Sequence, residues 1–250
     1  MSDDQLHVLY MDPAVLTTMV ILYTMDIKVD TIKILETLPL TADLIKIEKQ
    51  GSPVRGSSKK NLIKRRVKET PVAPKRTTGF GHNSITLVVL NDGDGHLPRK
   101  EITVKIFQNG VFHITGVLDE RYDRSVMNFL QAHITANCKE CIVSGTWELK
   151  QRRVVLMNYK TRLNKVANLS RETLYAYLRS KGVRTEYEPS VYPAVKIYFA
   201  ETRWIAKVFR TGNIILTGMT SNDECVRLMS ALNPLIQSIP SEYNAAAARA

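Results

Sequence analysis

The sequence predicts an α+β fold built from two quasi-equivalent halves, each ordered β-α-β4-α, and three observations predict it. First, Lys105-Ile106-Phe107-Gln108-Asn109-Gly110-Val111-Phe112-His113-Ile114-Thr115-Gly116 recurs as Lys207-Val208-Phe209-Arg210-Thr211-Gly212-Asn213-Ile214-Ile215-Leu216-Thr217-Gly218, at a constant offset of 102 residues. Second, each copy alternates apolar and polar residues on both sides of an Asn-Gly or Thr-Gly turn, which is the pattern of a β-hairpin. Third, the register continues into a helical pattern without a gap, Met127 falling on Met229 and Leu130 on Leu232. A duplicated strand-turn-strand-helix unit implies two halves related by a pseudo-twofold.

In the first half, Val15 to Asp26 reads as a strand and Thr31 to Leu38 as a short helix, capped by Asp30 and stopped by Pro39. Leu44 to Glu48 is the next strand. Ile85 to Leu90, Glu101 to Phe107 and Val111 to Thr115 complete the set, and Asp123 to Ile134 is the closing helix. Residues 12–135 thus form one repeat, with a basic loop over 51–79, and 136–150 form a connector. The second repeat spans 151–240. Its strand Val154 to Lys160 precedes a helix Arg171 to Ser180, capped by Ser170 and ended by Gly182. Strands are expected at Val183 to Tyr187, Val195 to Phe199, Trp204 to Phe209 and Asn213 to Thr217. A last helix carries Cys225, Leu228, Met229, Leu232 and Ile236 on one face, bent at Pro234. Residues 241–250 are expected to be a flexible tail.

Composition narrows the function. The most apolar stretch, Ala14 to Met25, is only 12 residues long and holds three threonines, so it suits a buried strand and not a membrane span. Three cysteines supply no disulfide framework, which suits a reducing compartment. The net charge of +11 is concentrated: between Ser52 and Gly79, nine basic residues face the single acid Glu69, a net of +8. Lys59, Lys60, Lys64, Arg65, Arg66 and Lys68 lie in this Gly- and Pro-containing run. Such a segment cannot bury enough apolar surface to fold alone, and its charge suits phosphates or an acidic protein partner. The five histidines are scattered, and neither paired carboxylates nor a phosphate loop is present, so no catalytic constellation, metal site or cofactor is expected. Cys138-x-x-Cys141 is at most half of a zinc site, and its bland reading is a solvent-facing linker.

Alternation assigns the strand faces. Val104, Ile106, Phe112 and Ile114 lie on one side of the first hairpin, while Thr103, Lys105, Phe107, His113 and Thr115 lie on the other. In the second, Trp204, Ala206, Val208, Ile214 and Leu216 oppose Ile205, Lys207, Phe209, Ile215 and Thr217. The first set packs under helices. The second mixes aromatic, cationic and hydroxyl side chains, which suits nucleic acid, with its flat apolar bases and negative edges.

These residues carry a family resemblance. Tyr187-Glu188-Pro189-Ser190-Val191-Tyr192-Pro193 resembles the Tyr-Glu-Pro-x-x-Phe-Pro segment of the TATA-box-binding protein (TBP) family. Phe209 falls at that family's Phe before a Gly-containing turn, 17 residues after Tyr192 as in the family, and Leu216-Thr217-Gly218 matches its Leu-Thr-Gly. Leu232-Asn233-Pro234-Leu235-Ile236 resembles its closing helix. Asn158 stands where the family has an asparagine that bonds minor-groove acceptors. The match is good over Val154 to Ile239 and loose over Val15 to Thr135, and the basic insert makes the chain most similar to the TBP-like proteins of large cytoplasmic DNA viruses. The resemblance implies a saddle: one curved antiparallel sheet with helices on the convex face, Tyr192, Phe209 and Phe107 as wedges between base steps, and Phe80 or His82 as the partner of Phe107. It further implies a transcription initiation factor that binds and bends double-stranded DNA as a monomer and presents it to a factor-IIB-like protein and a multisubunit RNA polymerase, in the nucleus or in a cytoplasmic viral factory. The chain departs from the family at Lys105 and Lys207, where aliphatic residues are usual, at His113, where valine is usual, and in having no asparagine in its first strand. The competing reading is an adaptor without DNA binding that docks an acidic protein through its basic loop.

Overall fold

A computed structural model describes residues 9–59, 83–164, 166 and 168–239. They fall into two compact units, one of Val20–Val154 and one that joins the residues up to Met19 with those from Val155 onward. The first unit holds most of β1 (Val15–Val29), then α1 (Thr31–Thr37), β2 (Leu44–Glu48), β3 (Arg55–Gly56), β4 (Ser84–Asn91), β5 (Lys100–Phe107), β6 (Val111–Val117), α2 (Glu120–Asn137) and the leading part of β7 (Ile142–Arg162). Its strands run in the order β3-β2-β4-β5-β6-β1-β7. The second unit holds the rest of β7, α3 (Arg171–Ser180), β8 (Thr185–Glu186), β9 (Ala194–Tyr198), β10 (Ile205–Phe209), β11 (Asn213–Met219) and α4 (Asn222–Gln237), in the order β7-β11-β10-β9-β8.

The duplicated hairpins are β5-β6 and β10-β11, both antiparallel, and each closes on a bond from the glycine N–H to the phenylalanine carbonyl (Gly110 to Phe107, 3.1 Å; Gly212 to Phe209, 2.9 Å). Gly110 has φ +80, and a Cβ there would stand 2.2 Å from the Ile27 carbonyl oxygen, so no other residue fits. Val104, Ile106, Phe112 and Ile114 are fully buried, as are Ala206, Val208, Ile214 and Leu216. They pack with Val126, Leu130 and Ile134 of α2 and with Leu228, Leu232 and Ile236 of α4, all at 0% exposure. Each such large side chain contributes about 1.5–3 kcal/mol of burial.

Four expectations need correction. The basic loop 51–79 is not loop throughout: β3 pairs with β2, and Arg55 donates from Nη1 to the carbonyls of Leu35 (2.5 Å) and Leu38 (3.0 Å), closing the C-terminal end of α1. The connector 136–150 is largely strand, because β7 begins at Ile142 and not at Val154. Its leading residues are exposed on both faces, so the alternation that reveals a half-buried strand is missing there. Cys138 and Cys141 are not solvent-facing; both are fully buried, with their Cα atoms 5.4 Å apart. Finally, residues 12–19 leave the expected first repeat for the second unit. Asp12 N–H donates to the Arg162 carbonyl (2.8 Å), and Thr161 Oγ1 donates to the Asp12 carbonyl (2.5 Å).

Candidate nucleic-acid interface

The candidate face is the side of each hairpin turned away from the helices. On β5 and β6, Thr103, Lys105, Phe107, His113 and Thr115 are all half-buried, alternating with the fully buried Ile102, Val104, Ile106, Phe112 and Ile114. Lys105 lies directly opposite His113, and Thr103 opposite Thr115. Burial first, and then the Lys105 ammonium, hold His113 below the ordinary imidazole range. On β10 and β11, Ile205, Lys207, Phe209, Ile215 and Thr217 occupy the matching positions, equally half-buried, with Lys207 opposite Ile215.

The second unit brings its two expected wedge aromatics together. Tyr192 meets Phe209 edge-on, with ring centroids 6.0 Å apart and planes at 63°. Lys207 Nζ stands 5.7 Å from the Tyr192 centroid, and so does Lys196 Nζ. Lys196 is opposite Lys207 in the β9-β10 register and donates to Glu186 Oε1 at 2.6 Å. The sequence reading missed Lys196, although its place on the same alternating face as Tyr198 and Tyr192 could have revealed it. Asn158 is half-buried on β7, and its side-chain oxygen is buried with no hydrogen-bond partner among the described residues. An unmet buried polar atom costs about 1–3 kcal/mol until water or a ligand satisfies it.

In the first unit Phe107 borders an open hollow of about 290 Å³ lined also by Asn83, Gln108 and Asn109. Register shows how the halves correspond here. Ser84 pairs with Phe107, and Ala194 with Phe209, so Ser84 and Ala194 are equivalent. Counting two residues back reaches Tyr192 in one half and position 82, a histidine, in the other. Phe80 and His82 lie outside the described residues, as do Lys60, Lys64, Arg65, Arg66 and Lys68 of the basic loop. Lys59 is exposed, and its backbone N–H donates to Glu101 Oε1 (2.8 Å).

Residues 157–239 match the family model described as transcription factor TFIID (or TATA-binding protein, TBP). The chain is similar over 91% of its length, and over all of the other's, to the solved structure of Methanococcus jannaschii TBP, with TM-score 0.52 at 13% identity. It has the TBP fold. TATA-box-binding protein 2 of Methanosarcina acetivorans is 30% identical over 105 residues, which cover 34% of this chain and 57% of that protein. The TBP family match begins one residue before Asn158 and takes in Tyr192, Lys196, Lys207, Phe209, Ile215 and Thr217. It leaves out the first unit, where Phe107, His113 and Lys105 stand.

Proposed function

We propose that this chain is a transcription initiation factor of TBP type that binds duplex DNA through the minor groove at promoters and bends it. The observation that carries this reading is the repeated half-buried face. Two hairpins in matching register turn an aromatic, a lysine and a threonine away from the core, Tyr192 is paired with Phe209 at the second of them, and the side-chain oxygen of Asn158 on β7 is left without a partner among the described residues. Flat aromatics suit partly unstacked bases, amide and hydroxyl groups suit minor-groove acceptors, and such a face reads A·T content and deformability. The kink made by intercalating side chains is known from this family. On this reading the protein acts as a monomer on DNA and presents the bent duplex to a factor-IIB-like protein and a multisubunit RNA polymerase. The divergent first half and the basic insert suggest a viral TBP-like subtype, working in the nucleus or a cytoplasmic factory.

A gel-shift selection from random duplex pools tests the reading. The expected result is retention of a bent, A·T-enriched class at nanomolar to micromolar protein. No retention of any duplex, with capture of an acidic protein through Lys59 to Arg76, would establish the adaptor instead.

A further inference from the structure

The turn that follows α2 holds a feature the DNA-binding face does not use. Cys138 is the C-cap of α2, and its N–H donates to the Ile134 carbonyl. Lys139–Cys141 make one 3-10 turn, closed by Cys141 N–H on the Cys138 carbonyl at 2.9 Å. The two Cα atoms are 5.4 Å apart, within the roughly 4.4–6.8 Å that a disulfide spans. Both residues are fully buried.

Both ends of α1 rest on this turn. The N–H of its N-cap residue, Asp30, donates to the Cys141 carbonyl at 2.8 Å. At the other end the Thr37 hydroxyl stands 2.8 Å from the Lys33 carbonyl, 2.9 Å from Cys138 Sγ and 3.6 Å from Cys141 Sγ. That hydroxyl owns one proton. With thiols present, it donates to the Lys33 carbonyl while the Cys138 S–H donates to its oxygen. A disulfide has no S–H, so the hydroxyl then keeps only one of these bonds.

We propose that Cys138 and Cys141 are a reversible dithiol–disulfide pair whose state α1 reads through Thr37. The oxidant is a small-molecule disulfide of the glutathione class. One cysteine thiolate attacks a glutathione sulfur and displaces a glutathione thiolate, leaving a mixed disulfide. The second cysteine thiolate attacks the protein sulfur of that bond and displaces the second glutathione thiolate. The two cysteines lose two protons and two electrons, and these leave on two molecules of glutathione. Because the pair is buried at the end of a helix, attack follows opening of the terminal turn, so exchange is slow and selective. Cys225, buried on α4 with its thiol pushed up by burial, has no second cysteine beside it and serves as the internal control.

The test is to equilibrate the full chain in glutathione buffers of graded oxidised-to-reduced ratio, quench with acid, unfold, alkylate and weigh. The expected result is a fall from three alkylatable thiols to one, with peptide mapping to Cys138 and Cys141 and no bound glutathione. Cys138→Ser is expected to retain glutathione on Cys141. Hydrogen exchange should then differ between the two redox forms at the amides of α1, and Thr37→Val should erase that difference while the disulfide still forms. Three thiols at every ratio, or stable glutathione adducts on the unaltered pair, would overturn the pairing. Identical α1 exchange in both forms would overturn the coupling.

Discussion

His113 is where the free protein and its proposed complex make opposite demands on one side chain. Burial and Lys105 keep the imidazole neutral in the folded protein, below its ordinary value of 6.5. The unfolded chain therefore binds the proton more readily, so stability is complete above about pH 6.5 and declines as pH falls through that value. Urea titrations from pH 7.5 down to 5 should show this decline, and His113→Val should flatten it. In a minor groove the negative potential acts the other way and draws a proton onto the ring. Affinity should then rise as pH falls through the neutral region, a trend that His113→Val removes. An unaltered pH dependence of binding in the variant would remove His113 from the interface. The aromatic pair makes a second prediction at this scale. Replacing Tyr192 or Phe209 by alanine should lose about 1–3 kcal/mol of DNA affinity per stacked base and reduce the bend measured by energy transfer between duplex ends. Lys196→Met removes one of the two ammoniums over the Tyr192 ring and should cost only about 0.5–1 kcal/mol, since that site is partly exposed.

Among the elements, α2 is fixed by a buried charge that the sequence did not reveal. Asp123 is fully buried; Tyr23 of β1 donates to its Oδ2 at 2.6 Å, and Arg152 of β7 reaches both of its oxygens, at 2.8 and 3.2 Å. Burial and this carboxylate raise Tyr23 well above the usual phenol range. Asp123→Ala should cost about 1–3 kcal/mol in urea unfolding, because the Tyr23 hydroxyl and the Arg152 guanidinium lose their shared acceptor while Arg152 keeps Glu120 Oε2 at 3.5 Å, whereas Asp123→Leu together with Arg152→Met should recover most of that loss. Equal costs for the two variants would mean that Arg152 finds water when Asp123 is gone. Residues from three distant segments meet here, and no local period announces a contact between positions 23, 123 and 152. Local chemistry was legible where it was used: Asp30 and Ser170 cap α1 and α3 as read, by bonds to Ile32 and Lys33 and to Thr173. The caps of α2 and α4 were equally local and were overlooked. Asp119 starts α2 three residues before the helix expected from Asp123, and the Arg121 side chain and N–H bound to it draw its carboxyl down to about 2. Ser221 with Glu224 starts α4 as an S-x-x-E pair, Ser221 accepting from the Glu224 N–H and Glu224 from the Thr220 N–H.

Taken whole, the chain repeats its architecture more faithfully than its chemistry. Both hairpins, both closing helices and both sets of faces were readable from the 102-residue offset, because a strand buried on one side must alternate and a helix must keep its period. The pairing around Phe107 was not readable, because the Asn91 to Lys100 loop shifts the count between halves, and only the register of Ser84 with Phe107 restores it. Extended two residues beyond Ser84, that count would make His82 rather than Phe80 the counterpart of Tyr192. His82→Ala should weaken and straighten the DNA complex as Tyr192→Ala does, and Phe80→Ala should do neither. The basic insert separates from these effects by its salt signature. Deleting Lys60 to Arg76 should weaken every duplex alike and flatten the salt dependence by about 0.9 log units in slope for each phosphate that is no longer neutralised. The two halves differ in chemistry on corresponding faces, Lys105 with the titratable His113 against Lys207 with the apolar Ile215, so they should prefer different ends of an asymmetric site. A cleavage reagent tethered to an exposed position such as Gln108 or Arg210 maps which end each half occupies. One-sided cutting is expected from each tether, on opposite ends. Equal cutting at both ends from either tether would mean that the halves are interchangeable on DNA, and that Lys105 and His113 change how tightly the protein binds without changing which way round it sits.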